Sequence, residues 1–101
     1  MLSNRFITSA ILSLLLIIAA LSSSAQTQED FNKKMAETYN TSLEKTKKVA
    51  IAKEMYNMVE KKKELQTYSN YYLLKMIYES HLGDDKMAKI CEEKAQKIMN
   101  A

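Results

Sequence analysis

The absence of proline restricts this chain more than any other feature of its sequence. The 101 residues contain no proline and a single glycine, Gly83. Proline and glycine form most tight turns, and proline breaks helices. A chain without them favours helices over a turn-rich β fold, and this length allows one domain at most. We therefore expect an all-α fold with a sharp helix end at Gly83.

The first 25 residues have the order of a secretory signal peptide. Arg5 supplies a positive charge, residues 11–21 are almost entirely apolar, and small residues fill 22–25. The apolar stretch is shorter than the ~20 residues of a membrane-spanning helix. We predict cleavage after Ala25, which gives an exported protein, periplasmic or secreted, with no membrane span after cleavage. An uncleaved N-terminal anchor is the alternative.

Helical periodicity organises the rest of the chain. Apolar residues recur at intervals of three and four from Phe31 onward, and one stripe of this kind is formed by Val49, Ala52, Tyr56 and Val59. We expect three to four antiparallel helices, stacked as helical hairpins. Residues 26–30 are predicted to be a flexible N-terminus, and residues 31–101 to be the helical hairpin domain.

A polar interruption divides the first part of this domain. Asn40, Thr41 and Ser42 follow the apolar stripe of Phe31, Met35 and Tyr39. Thr41 and Glu44 fit a capping box, so a second helix is predicted to start there. A single long helix with a kink is the alternative.

The most apolar segment is about 67–82, which predicts a central helix. At 100° per residue, Tyr71, Leu74 and Tyr78 share one face, and Tyr68 and Tyr72 lie on an adjacent one. Gly83 ends this helix, and Asp84 or Asp85 caps the last helix. The stripe of the last helix is formed by Met87, Ile90 or Cys91, Lys94 or Ala95, and Ile98.

The two halves of the domain are related by a weak repeat of 39 residues, in which six pairs of apolar positions coincide. Tyr71, Leu74 and Tyr78 look like the first-helix core residues of a tetratricopeptide repeat, and Gly83 looks like its turn glycine. Ala88 and Ala95 look like the two small residues of its second helix, so residues 68–100 resemble one such repeat. Gly83 stands one residue late relative to Tyr78, and Lys75 and Glu92 depart from the pattern. The resemblance implies helical hairpins and a protein-binding role.

The composition argues against several classes of function. Arg5 is the only arginine, so none remains after cleavage for bidentate contacts to phosphates or bases, and nucleic acid is not an expected partner. No residue pattern indicates an enzyme, a cofactor or a metal site. His81 is the only histidine and favours a helix C-terminus, and Cys91 stands at a core-like helical position.

The tyrosines provide the best candidates for a binding surface. Six tyrosines lie beyond residue 25, more than a small core accommodates easily, and tyrosine is favoured at interfaces. We predict that Tyr68, Tyr72 and Lys75 bind a partner; the alternative is that both tyrosines are half-buried core. The function predicted is an exported module that binds a protein or itself. The alternatives are a ligand-binding protein or enzyme with a pocket near Cys91, and a structural homo-oligomeric bundle.

Overall fold

The structure is a computed structural model that describes residues 25–101. Within this range the chain forms four helices and no strand, so the all-α prediction is confirmed. The helices are α1 (25–38), α2 (Lys45–Lys61), α3 (Tyr68–Met76) and α4 (Asp85–Met99). A 3-10 turn, Lys63–Leu65, precedes α3, and a π turn, Ile77–His81, extends it. Nearly all of the predicted signal peptide lies outside the described residues.

Consecutive helices run antiparallel. Lys34 of α1 pairs with Glu54 of α2 at 2.9 Å, and Glu60 near the end of α2 accepts a hydrogen bond from Tyr71 near the start of α3. The turn at Gly83 then returns the chain so that α4 packs along α3. The fold is therefore a succession of helical hairpins, as the sequence predicted.

The two hairpins stack with α1 beside α3. Gln28 hydrogen-bonds Asn70 at one end of this pair, and Tyr39 contacts His81 at the other. Both contacts join residues separated by 42 positions, so α1 and α3 run parallel. Displaced by the 39-residue interval, α2 coincides with α4 to within one residue at each end.

The core is centred on α3. Tyr71, Leu74 and Tyr78 are buried on one face, as predicted. Helices α2 and α4 cover them with small or slender side chains, which allow close packing. The buried apolar residues are Phe31, Ala52, Met55, Val59, Leu65, Tyr71, Leu74, Ile77, Tyr78, Leu82, Ala88, Cys91 and Ala95.

Three residues assigned to apolar stripes are exposed instead. Tyr39, Val49 and Ile98 are 47%, 45% and 37% exposed. Tyr39 follows the end of α1, Val49 lies near the start of α2, and Ile98 lies in the last turn of α4. Periodicity alone does not show where a neighbouring helix ends, so stripes overestimate burial at helix termini.

The break between α1 and α2 is present, but the predicted capping box is wrong. α2 begins at Lys45, and Glu44 is its N-cap without a side-chain hydrogen bond. Asn40 Oδ1 instead accepts a hydrogen bond from the Ser42 backbone N–H at 3.0 Å. Such an Asx turn competes with helix formation, and the N-cap of α2 lies at Glu44, three residues beyond Thr41.

Residues 26–30 differ from the flexible N-terminus that we expected, because they form the first turns of α1. Gln26 bonds Asp30 at 3.0 Å, and Gln28 reaches Asn70 on α3. Polar composition suggested fraying, but the contact with Asn70 fixes this segment against the core.

The end of α3 shows how the late Gly83 is accommodated. The Leu82 N–H bonds the Ile77 carbonyl, which gives the wider π turn and takes up one additional residue. Gly83 then adopts φ 63°, and the Asp84 N–H closes on the Tyr78 carbonyl at 2.8 Å. Asp84 also caps α4 through the Met87 N–H, as predicted.

Candidate functional site

Of the three candidate binding residues on α3, only Tyr72 is exposed, while Tyr68 is half-buried and packs against the core, as the alternative reading of the tyrosines expected for that residue. Thr67 caps the helix by accepting a hydrogen bond from the Asn70 N–H, which fixes the register of the first turn. With Tyr71 and Leu74 buried, helical geometry turns Tyr72 outward, where 41% of it is exposed, and leaves Tyr68 half-buried.

The structure brings the three predicted residues together. The rings of Tyr68 and Tyr72 stack with centroids 5.7 Å apart and planes inclined by 17°. The Lys75 ammonium lies 5.4 Å from the Tyr72 ring centroid. The result is a continuous ladder of two rings and one cation along one side of α3, which we call the tyrosine ladder (Tyr68, Tyr72 and Lys75).

Carboxylates neutralise the cation of the ladder. Lys75 Nζ binds Glu79 at 2.9 Å. The pKa of Lys75 is raised, first by the hydrogen bond to Glu79, and also by the negative charges of Glu79 and of Glu92 on α4. The Lys75 side chain is 18% exposed and that of Glu79 is 49% exposed. A partner therefore meets tyrosine rings and carboxylate before it meets the ammonium.

The ladder has the composition of a recognition surface. Met76, one turn beyond Tyr72, adds exposed apolar area, and the tyrosines combine apolar rings with hydroxyls that tolerate water.

A second polar cluster, which the sequence analysis missed, joins α2, α3 and α4. Lys94 Nζ binds Glu60 Oε1 at 2.7 Å and lies 6.0 and 5.9 Å from the ring centroids of Tyr56 and Tyr71. Tyr71 also donates a hydrogen bond to Glu60 at 3.5 Å. We call these four residues the Glu60–Lys94 cluster. Its only sequence signal is that Lys94 and Tyr56 stand on or beside apolar stripes.

The charges in this cluster support one another. The hydrogen bond from Lys94 lowers the pKa of Glu60, and the hydrogen bond to Glu60 raises the pKa of Lys94. Burial, with Glu60 nearby, raises the pKa of Tyr56 and Tyr71. The pair thus stays ionised and the phenols stay neutral at physiological pH. These contacts hold α2, α3 and α4 together. Because the pair stays charged and the phenols stay neutral, the cluster has no group that would transfer a proton at neutral pH.

Cys91 and His81 both lie against other side chains of the fold. Cys91 is completely buried, and burial raises the pKa of its thiol to about 11. The His81 ring forms an edge-to-face contact with the Tyr39 ring, with centroids 4.5 Å apart. The Asp84 carboxylate accepts the capping hydrogen bond from the Met87 N–H. Among residues 25–101, no group of three or more histidine, cysteine or acidic side chains could hold a metal ion.

No family model, curated protein or solved structure matches this chain. In the described part of the chain, every helix is too short or too polar to cross a membrane.

Proposed function

We propose that this protein is a small exported module that binds another protein, or itself, through the tyrosine ladder. The observation that carries the proposal is the stacking of Tyr72 on the half-buried Tyr68, which holds an exposed ring in place on a helix whose opposite face is buried in the core. Ordered aromatic side chains lose little conformational entropy on binding, which makes them effective anchors.

Two features of the sequence support the rest of the proposal. The charge, apolar core and small residues of the first 25 positions favour export. The resemblance of residues 68–100 to a tetratricopeptide repeat favours a protein partner. A ligand pocket near Cys91 has less support, because that thiol is enclosed by core side chains.

The test compares the double variant Tyr68→Ala/Tyr72→Ala with the wild type in a pull-down from the exported fraction. Tyr39→Ala is the control, since Tyr39 is an exposed tyrosine that follows α1 and does not belong to the ladder. We expect wild type and control to retain the same partner and the double variant to lose it, with all three equally helical by circular dichroism. Equal retention by a folded double variant would refute this surface.

Self-association is measured separately. Sedimentation equilibrium of the wild type at several concentrations detects a dimer, and the double variant is expected to abolish any dimer that uses the ladder. A concentration-dependent dimer that survives in the double variant would favour the structural bundle instead.

A further inference from the structure

We infer that the outward face of α2 binds the surface of an anionic phospholipid membrane through its lysine side chains. This face is separate from the tyrosine ladder, so the inference goes beyond the proposed function and does not depend on it.

The positive charge of the described part of the chain is concentrated on α2. Residues 44–65, which comprise α2 and its flanking turns, carry seven lysines and four glutamates. Residues 25–43 carry two lysines and three acidic residues, and residues 66–101 carry five of each. The segment 44–65 therefore has a formal charge of +3, whereas the other described residues sum to −1. An anionic surface is attracted to this side of the molecule.

The lysines of α2 are not engaged by carboxylates of the same molecule. All four ion pairs of the described residues use lysines of α1, α3 and α4. Lys34 binds Glu54 at 2.9 Å. Lys94 binds Glu60 at 2.7 Å, so two of the glutamates on α2 are already neutralised from outside it. The lysines of residues 44–65 form no ion pair in this part of the chain, and their charges remain for an external anion.

Helical geometry places three of these lysines on one face of α2. The buried residues of this helix are Ala52, Met55 and Val59. At 100° per residue, Lys47, Lys53 and Lys61 lie on the opposite side within an arc of about 120°, and all three are exposed. We call them the lysine face. It points away from the core and so from α3, and a membrane that covers it leaves the tyrosine ladder free.

The dimensions of the lysine face suit an extended surface. Lys47 and Lys61 are separated by about 21 Å along the helix axis. This distance is more than twice the Debye length of about 8 Å at physiological ionic strength. The lysines therefore meet separate anionic groups, as the headgroups of a membrane provide, and not a single small anion.

The composition of the lysine face favours a membrane over a protein partner. Besides its lysines, the arc consists of Thr46, Ala50, Glu54 and Asn57. Protein interfaces depend on aromatic, arginine or large apolar anchors that become buried, and this arc has none of them. Lysine is a strongly hydrated point charge, and clusters of lysines are attracted to anionic lipids without such an anchor.

The test measures how the protein, purified from the exported fraction, partitions onto sucrose-loaded vesicles that are collected by sedimentation. Vesicles of phosphatidylcholine are compared with vesicles in which about a third of the lipid is phosphatidylglycerol. The neutral vesicles measure any contribution of the apolar stretch within residues 1–25, which does not depend on lipid charge. We expect at least about tenfold stronger partitioning onto the anionic vesicles, and this excess should disappear between about 50 and 500 mM salt.

A triple variant tests whether the lysine face provides the attraction. Lys47→Gln/Lys53→Gln/Lys61→Gln should lower partitioning onto the anionic vesicles at least about tenfold, since each basic residue near such a surface contributes up to about fivefold. Its circular dichroism should match that of the wild type, because all three side chains are exposed.

The matched control removes the same charge from another helix. Lys86→Gln/Lys89→Gln/Lys97→Gln replaces three exposed lysines of α4 that form no ion pair among the described residues. We expect it to lower partitioning less than about threefold, because only the net charge changes. Tyr68→Ala/Tyr72→Ala should partition like the wild type, which separates this inference from the proposed function.

Three results would overturn the inference: equal partitioning onto the two kinds of vesicle, partitioning that salt does not weaken, or equal losses in the two triple variants. Fluorescein-labelled polyglutamate that binds through the lysine face, when anionic vesicles do not, would identify an acidic protein as the occupant and would overturn it as well. A partner lost on Tyr68→Ala/Tyr72→Ala would still support the tyrosine ladder in each of these cases.

Discussion

The buried amide pair between Gln28 and Asn70 gives the sharpest test of how the two hairpins are joined. Asn70 is 3% exposed. Its side chain donates to Gln28 at 3.0 Å and to the Leu65 carbonyl at 2.9 Å, and it accepts from Gln28 at 3.1 Å. Three hydrogen bonds of this kind contribute about 0.5–1.5 kcal/mol each.

Asn70→Ala should reduce the free energy of unfolding by about 2 kcal/mol. The loss of three hydrogen bonds is partly offset, because alanine favours the helix by ~0.7 kcal/mol and the Leu65 carbonyl keeps its bond from the Thr67 N–H. Gln28→Ala should cost a similar amount, since it leaves a buried amide oxygen of Asn70 without its partner. For a domain of this size, whose stability is about 4–11 kcal/mol, either loss is large.

The decisive measurement is a double-mutant cycle by urea denaturation, followed by circular dichroism at 222 nm. With both side chains removed, no unpaired amide remains. The loss in the free energy of unfolding of the double variant should therefore be about 1–2 kcal/mol smaller than the sum of the losses of the two single variants. Asn57→Ala, at an exposed position of α2, controls for helix propensity. Additive losses, or an Asn70→Ala loss below about 0.5 kcal/mol, would refute the claim that this pair joins α1 to α3.

Three further predictions concern single positions. Because Lys94 lowers the pKa of Glu60, their ion pair stabilises the fold above the ordinary glutamate pKa of 4.5, and this stabilisation is lost as the pH falls through the lowered pKa. In Glu60→Gln, the urea midpoint should therefore change less between pH 5 and pH 3 than in the wild type. The difference in the free energy of unfolding should be less than about 1 kcal/mol, because both side chains are a third exposed. Cys91 should react with Ellman's reagent only after denaturation, and rapid labelling of the native protein would contradict its burial. Gly83→Ala should cost about 1 kcal/mol through its φ of 63° alone, since no atom lies within 4 Å of the added Cβ, and an unchanged thermal midpoint would show that this turn relaxes.

The sequence predicted the features that depend on local chemistry. The helical spacing of Tyr71, Leu74 and Tyr78 identified the buried face of α3. Gly83 identified the turn and left Asp84 and Asp85 as the two possible caps, of which Asp84 is the one used. These signals are read within a few residues, because helical periodicity and terminal hydrogen bonds are local. The adjacency of Tyr68, Tyr72 and Lys75 was predictable for the same reason, since residues three and four apart are neighbours on a helix.

Contacts between distant helices were not predictable from a single sequence. Gln28 and Asn70 are 42 residues apart, and their pairing depends on how the hairpins stack. Glu60 and Lys94 belong to helices that are not consecutive in the chain. Each residue alone is compatible with a solvated surface position, so the pattern gave no reason to join them.

The packing of α3 also explains why Tyr72 lies outside the core. A helix has a limited circumference, and here the α2 and α4 contacts occupy the face of Tyr71, Leu74 and Tyr78, while Asn70 is taken by α1. Tyr72 cannot enter the core without rotating α3, which would bring these buried residues to the surface and lose about 1.5–3 kcal/mol for each large side chain. The exposure of Tyr72 is thus enforced by the rest of the fold, and any gain from covering its ring has to come from a second molecule.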